Sequence, residues 1–275
     1  MVFLSIDFFL FFFVFVFVAL FMEVCVDSFE SALAAVDGGA QRLELCSSLD
    51  QGGLTPSLGL LTLIRRRLPT ELVVFVMIRC RPGDFIYDDN ELAVMEEEIR
   101  LFLESNQRVD GFVLGTLDPD GTIDTVGLKR LIQGIPTGKS LTFHRAFDFI
   151  AKWNTAIDQL IELGFHRILT SGQETNAYYG RKLIRQLITH AQNRLIILPG
   201  CGINVSNLEC ILRETGAKEF HASARVRRPS KMVYKNLQKR ISLNGHDDDD
   251  DTGIQVTDRD KVKLMMGIYR KVFFK

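Results

Sequence analysis

The sequence carries almost no excess of charge: 33 Lys and Arg stand against 34 Asp and Glu, a formal net of −1 over 275 residues. So even a balance leaves the chain as a whole without the basic footprint of a nucleic-acid binder or of a protein held to a membrane surface. Cysteine is sparse and unpaired. Cys25, Cys46, Cys80, Cys201 and Cys210 are odd in number and show no CxxC spacing. A disulfide framework is thereby excluded, and reduced thiols in a cytosolic protein are expected. A membrane-length apolar run is lacking too. Phe8 to Met22 is uninterruptedly apolar, which matches a signal-peptide core and falls short of the roughly 18–20 residues that span a bilayer. No Lys or Arg precedes it, and a cut after Ala19 would leave Phe17 where a small residue is wanted. Residues 1–20 therefore read as an apolar leader with three open meanings: a weak signal or anchor, a frayed extension of the first strand, or a start assigned too far upstream. No stable membrane association is expected.

What the chain does contain is organised around Glu23-Val24-Cys25 and its echo, Glu44-Leu45-Cys46. Each ends a short apolar run of strand type. Between them, Asp27 or Ser28 is placed to cap a helix that runs into Ala32-Leu33-Ala34-Ala35. The unit is strand, helix, strand. Side chains alternate along a strand, so Glu23 and Cys25 share a face, as do Glu44 and Cys46. With the two strands parallel neighbours, equivalent residues are expected ~5 Å apart. Two carboxylates and two thiols would then converge, and charged groups call for the interior of a closed barrel or a crevice. A lone buried cysteine is most simply a small core residue; the accompanying glutamates argue for more.

The same unit recurs. Strand-type runs at Leu72–Ile78, Gly111–Leu114, Ser140–Phe143, Arg167–Thr170, Leu195–Leu198 and Lys218–Ala222 alternate with helical periodicity at Glu91–Glu104, Thr125–Gln133, Asn154–Leu163, Ala177–Ala191 and Ser206–Arg213. Counting gives eight strands with helices between them and no long break in composition. A single-domain α/β TIM (β/α)8 barrel over residues 21–275 is predicted, in preference to a doubly wound sheet. Polar, glycine-flanked residues follow the strand ends at Cys46, Arg79, His144, Ser171, Gly200 and His221, where such barrels place their sites. Residues 225–257, basic at first and then carrying the run Asp247–Asp251, read as a mobile excursion, although the basic part follows strand eight, where barrels often bind phosphate. A closing helix over 258–272, with Val262, Leu264, Met265, Ile268 and Tyr269, is expected to pack on the barrel's outside.

Two chemistries suit the inward-facing candidates. Cys25 and Cys46 would suit a soft ion such as Cu(I), which accepts two sulfur ligands. Alternatively, His144 with Glu44 or Glu219 and His221 would transfer protons on a small anionic, phosphorylated or sugar-like substrate, with Arg79 or Arg145 as anion clamp. Glu23, Arg145, Asp148, Ser171 and Ser223 complete the set as binding candidates. Glu219, His221 and Ser223 alternate and so share a face.

Met22-Glu-Val-Cys-Val-Asp-Ser28, Gly39-Ala-Gln-Arg-Leu-Glu-Leu-Cys46, Gly52-Gly-Leu-Thr-Pro-Ser57, Thr142-Phe-His-Arg-Ala-Phe-Asp148, Leu169-Thr-Ser-Gly172 and Glu219-Phe-His-Ala-Ser-Ala-Arg225 together resemble the CutC family of copper homeostasis proteins. The resemblance runs in order from about Phe21 to the closing helix. It implies a TIM barrel, a cytoplasmic homo-oligomer with the nucleus as a further compartment, and Cu(I) bound by Cys25 and Cys46; export by the leader is the competing localisation. The sequence departs from the family pattern at Arg79-Cys-Arg-Pro-Gly-Asp-Phe85, where the family usually reads Arg-Pro-Arg-Gly-Gly-Asp-Phe, and at Cys201, where it often has glycine. Pro82 fixes φ and removes a donor, so a reshaped loop is expected after strand three, and Cys80 and Cys201 are two further thiols at strand ends.

Overall fold

The structure is a computed structural model, and it describes residues 21–234 and 252–274. The leader of residues 1–20 and the five-aspartate run lie outside the described residues.

Eight short parallel strands form one sheet: β1 (Phe21–Val26), β2 (Arg42–Leu45), β3 (Val73–Met77), β4 (Gly111–Leu114), β5 (Ser140–Phe143), β6 (Arg167–Thr170), β7 (Ile196–Pro199) and β8 (Glu219–Ala222). Their order, β7-β6-β5-β4-β3-β2-β1-β8, carries the chain round a nearly closed TIM barrel in which β7 and β8 lie side by side. Each strand is short and followed by a helix: α1 (Phe29–Asp37), α2 (Leu58–Arg67), α3 (Asp89–Glu104), α4 (Thr125–Ile132), α5 (Trp153–Glu162), α6 (Arg181–Ala191), α7 (Leu208–Thr215) and α8 (Arg259–Phe273). The helix starts follow local chemistry. Ser28 accepts the Ser31 N–H at the head of α1, and Asp88 with Glu91 forms a reciprocal capping box on α3. Helix α6 begins four residues later than its apolar periodicity predicts, because residues 173–180 are spent on turns beneath Cys201.

Alternation along the strands sorts the apolar residues into two populations. Val24, Leu43, Val74, Phe112, Phe143, Ile168 and Phe220 point outward into the large core shared with the helices. Cys46, Phe75, Met77 and Val113 form a small separate cluster inside the barrel. Helix α8 covers the outside as expected: Val262, Met265, Met266 and Tyr269 are buried, the Tyr269 ring meets Phe220 edge-on at 5.1 Å, and its hydroxyl donates to the Lys218 carbonyl. Leu264, expected on the packing face, is exposed, since a helix turning 100° per residue cannot bury 262, 264 and 265 alike. The ends of the 225–257 segment pair with each other as antiparallel β9 (Arg225–Arg228) and β10 (Ile254–Thr257).

The register of β1 and β2 corrects one expectation. Glu23 lies beside Arg42, and Cys25 beside Glu44. The two Glu-x-Cys units are thus displaced by two residues, the stagger that strands must adopt to close a barrel. Equivalent residues of the echo are not neighbours.

Candidate metal and small-molecule site at the barrel mouth

The displaced register builds the site in two layers. In the lower one, Arg42 projects into the barrel, 1% exposed, and bonds Glu23 Oε2 through Nε and Glu219 Oε2 through Nη2, each at 2.5 Å. Arg167 lies 3.6 Å from the same Glu219 oxygen. The two guanidinium groups lie 5.2 and 4.8 Å from the Phe75 ring centroid. Burial alone would raise the Glu23 pKa, but the Arg42 charge and the bonds from His221 and Arg42 outweigh it and hold the carboxyl at about 2. Glu23 and Glu219 are therefore anchored in the floor and do not line the pocket above it.

The upper layer stands on that floor. Glu23 turns its other oxygen, Oε1, to His221 Nδ1 at 2.7 Å, which directs Nε2 towards Glu44, 3.7 Å away. Cys25 Sγ, a Glu44 oxygen and a His221 ring nitrogen all lie within 4.8 Å of one another, and all three residues are buried. Burial pushes the Glu44 pKa up to about 7, with the Glu23 charge adding to it. For His221 burial pulls downward, yet the charges of Cys25 and Glu44 and the bonds to Cys25 and Glu23 carry it well above the ordinary imidazole value. A thiol, an imidazole whose far nitrogen is fixed by a carboxylate, and a second carboxylate form a donor set suited to a metal ion.

Cys46 is placed differently. It is fully buried against Phe75, Met77 and Val113 and gives its thiol to Glu44 Oε2 at 3.4 Å. Burial and the neighbouring Glu44 charge raise its pKa well above the usual thiol value. It thus touches the cluster through Glu44, one step from the pocket.

The pocket itself, about 280 Å³, is lined by Cys25, Glu44 and His221 on one side and by Arg79, His144 and Arg145 on the other, with Ser223 at the rim. Asp148 and Ser171 are not in its wall. Asp148 accepts from Thr170 Oγ1, from Ser171 through both N–H and hydroxyl, and from Arg145 Nε at 2.8 Å; it ties the end of β5 to the end of β6 and holds Arg145. Of the two departing cysteines, Cys201 lines the pocket and Cys80 does not. Cys201 sits at φ 73°, in the left-handed region where a side chain costs about 1–2 kcal/mol and glycine costs little.

Comparison with known proteins is decisive here, because residues 20–226 match the profile of the CutC family. The chain belongs to the CutC family. It is 42% identical over 254 residues to the human copper homeostasis protein cutC homolog, covering 91% of this chain and 89% of that one. It is 44% identical over 243 residues to a CutC family protein of Vibrio cholerae, covering 88% and 93%. The crystal structure of the CutC protein of Streptococcus agalactiae superposes with a TM-score of 0.69 at 36% identity, covering 74% of this chain and 98% of that one. At 14% identity, a thiamine phosphate pyrophosphorylase of Pyrococcus furiosus gives a TM-score of 0.53, which shows the shared barrel alone.

For this CutC chain the sequence reading placed Cys25, Glu44, His221, Arg79, His144, Arg145 and Ser223 at one mouth, where the structure has them. It missed Arg42 and Arg167. Arg42 was within reach, since it stands in phase with Glu44 and Cys46 at two-residue spacing. Among the described residues no helix is long and apolar enough to cross a membrane.

The floor and the cluster together set an acid and an alkaline limit. Glu23 has a folded pKa below its ordinary 4.5, so the stability it contributes is complete above that value and is lost as pH falls towards about 2. His221 is shifted upward from 6.5, so its contribution is complete below 6.5 and is lost as pH rises through its folded value. Glu44, raised from 4.5 to about 7, holds a proton that the unfolded chain releases, so it too lowers stability as pH climbs between those values. Urea midpoints of the metal-free protein are expected to peak near about pH 4.5, where the gain from Glu23 levels off and the loss from Glu44 sets in, and to fall on both sides. A midpoint rising steadily to pH 8 would contradict the assignment.

Proposed function

We propose that this chain handles copper by binding Cu(I) at the barrel mouth, with Cys25 Sγ and His221 Nε2 as ligands and Cys46 as the second thiol. The observation that carries the reading is the 2.7 Å bond from Glu23 Oε1 to His221 Nδ1. A carboxylate behind the histidine fixes which ring nitrogen faces the cluster and raises its basicity, the arrangement found behind metal-ligating histidines. The ligand types narrow the ion. Thiolate and imidazole suit Cu(I) or zinc, whereas one carboxylate, Glu44, is too little for a hard cation, and the copper in the relatives' names favours Cu(I). The family relationship also underlies the expectation of a cytoplasmic homo-oligomer.

Copper K-edge absorption of the Cu(I)-loaded chain tests the ligand set. Sulfur scatterers with one imidazole nitrogen are expected, the nitrogen disappearing in His221→Phe. A shell of nitrogen and oxygen only would overturn it.

A second reading has its own support. Glu44, with its pKa near about 7, is poised as a general base on the wall of a pocket larger than a metal ion requires. Acid–base catalysis on a small anionic substrate is the alternative it favours.

A further inference from the structure

Copper binding leaves the other wall of the mouth unused. Arg79 is 5% exposed. It gives Nη1 to the carbonyls of Gln51 and Gly53, at 2.9 and 3.2 Å, and Nη2 to that of Gly83, at 2.8 Å. All three are neutral. Among the described residues no carboxylate pairs with this guanidinium; the neutral Tyr87 hydroxyl lies near it, and its buried Nε–H completes no hydrogen bond. The two other arginines that line the pocket are neutralised: Arg145 by Asp148 at 2.8 Å and Arg225 by Asp50 at 2.9 Å. A cation so buried ordinarily has a counter-charge.

His144 supplies a second free donor. Its Nδ1 accepts the Ala146 N–H at 3.2 Å, so the neutral ring carries its proton on Nε2. Burial, reinforced by the Arg79 charge, holds its pKa down at about 3, and the ring is neutral. The Nε2–H is buried and has no partner among the described residues. One aromatic ring supports both groups: the Phe85 centroid lies 4.9 Å from Arg79 Cζ and 4.8 Å from the His144 ring. Gly115 leaves the imidazole its place, since a Cβ there would come within 2.8 Å of it.

We propose that the mouth pocket binds the carboxylate of a small organic acid, with the Arg79 guanidinium as its counter-charge and the His144 Nε2–H as a second donor. One unpaired positive charge with two N–H donors matches a planar monoanion. A phosphate dianion would bring more charge than one cation balances, with the Glu44 carboxyl lining the same pocket. A volume of about 280 Å³ lies at the lower end for small-molecule sites, so an acid of a few carbons fits. Its remaining atoms would face Cys25, Glu44 and His221. The inference goes beyond copper binding and does not depend on it, because neither donor belongs to the metal cluster.

Calorimetric titration of the metal-free full chain with pyruvate, lactate and inorganic phosphate, in a buffer free of carboxylates, tests it. One of the two acids is expected to bind saturably, about tenfold or more weaker in Arg79→Gln and about fivefold weaker in His144→Phe. Cys210→Ser is expected to stay within about threefold of wild type, since Cys210 stands on α7 outside the pocket wall. In the wild type, the His144 Nε2–H proton resonance should shift as the acid is added, a readout that holds even where Arg79→Gln fails to fold. No saturable binding of either acid, an unmoved His144 resonance, or equal binding by folded Arg79→Gln would overturn the proposal. Phosphate bound more tightly than both acids would overturn the carboxylate assignment.

Discussion

Arg42→Ala is expected to destabilise the barrel by about 3–5 kcal/mol, lowering the melting temperature by roughly 10 °C. Among the described residues, Arg42 alone bonds both Glu23 and Glu219, at 2.5 Å each. Removing it leaves two carboxylates buried in the barrel interior short of a counter-charge, Glu23 keeping its bond to His221 and Glu219 its Arg167 at 3.6 Å. Ion pairing in the folded state does not account for a loss of that size, because the attraction between buried charges roughly offsets their desolvation. The loss comes from the charges left behind. Arg42→Ala combined with Glu219→Gln should therefore recover part of the stability, whereas Glu219→Gln in the wild-type background should cost. Urea unfolding of the three variants decides the point; equal losses in Arg42→Ala and in the double variant would show that Arg42 acts through packing on Phe75.

Cys25→Ser is expected to weaken Cu(I) binding by at least about a hundredfold while leaving the melting temperature nearly unchanged. Cys25 carries the one thiol in the buried group that also holds Glu44 and His221, and a hydroxyl is a poor ligand for a soft ion. Serine is close in size and can keep a bond to His221, so the fold has little reason to respond. Cys46→Ser should also abolish tight binding, but at a cost in stability, because Cys46 is packed at 0% exposure among Phe75, Met77 and Val113 and a hydroxyl there would meet only Glu44. His144→Ala should leave most of the copper affinity. Competition against a Cu(I) chelator, run beside thermal unfolding, separates these cases.

The barrel was legible because its signal is repeated eight times: each strand is a short apolar run set off from a helical stretch, and at six of the ends a polar or glycine residue marks the stop. Most of the mouth was legible for the same reason, since residues at equivalent strand ends must meet in a closed barrel. Register was not legible. Glu23-Val-Cys25 and Glu44-Leu-Cys46 look like equivalent neighbours, but closure shears them by two residues, so Cys25 finds Glu44 beside it and not Cys46. That displacement moves Cys46 behind Glu44, while His221 joins Cys25 through the separate register of β8 on β1, which sets it beside Glu23. Arg42 escaped because a buried arginine is rare and its two partners come from β1 and β8, far apart in sequence. Asp148 and Ser171 were correctly read as belonging to strand ends, yet their bonds to each other and to Arg145 make them a brace for the pocket wall.

The Cu(I) site proposed for the mouth of this barrel is built on cysteine. Anaerobic Cu(I) titration of the full chain against a competing chelator, with the wild type and the Cys25→Ser/Cys46→Ser variant side by side, tests it most directly. One tight equivalent in the wild type and none in the variant is the predicted result. Equal binding by the two, at any strength, would contradict it.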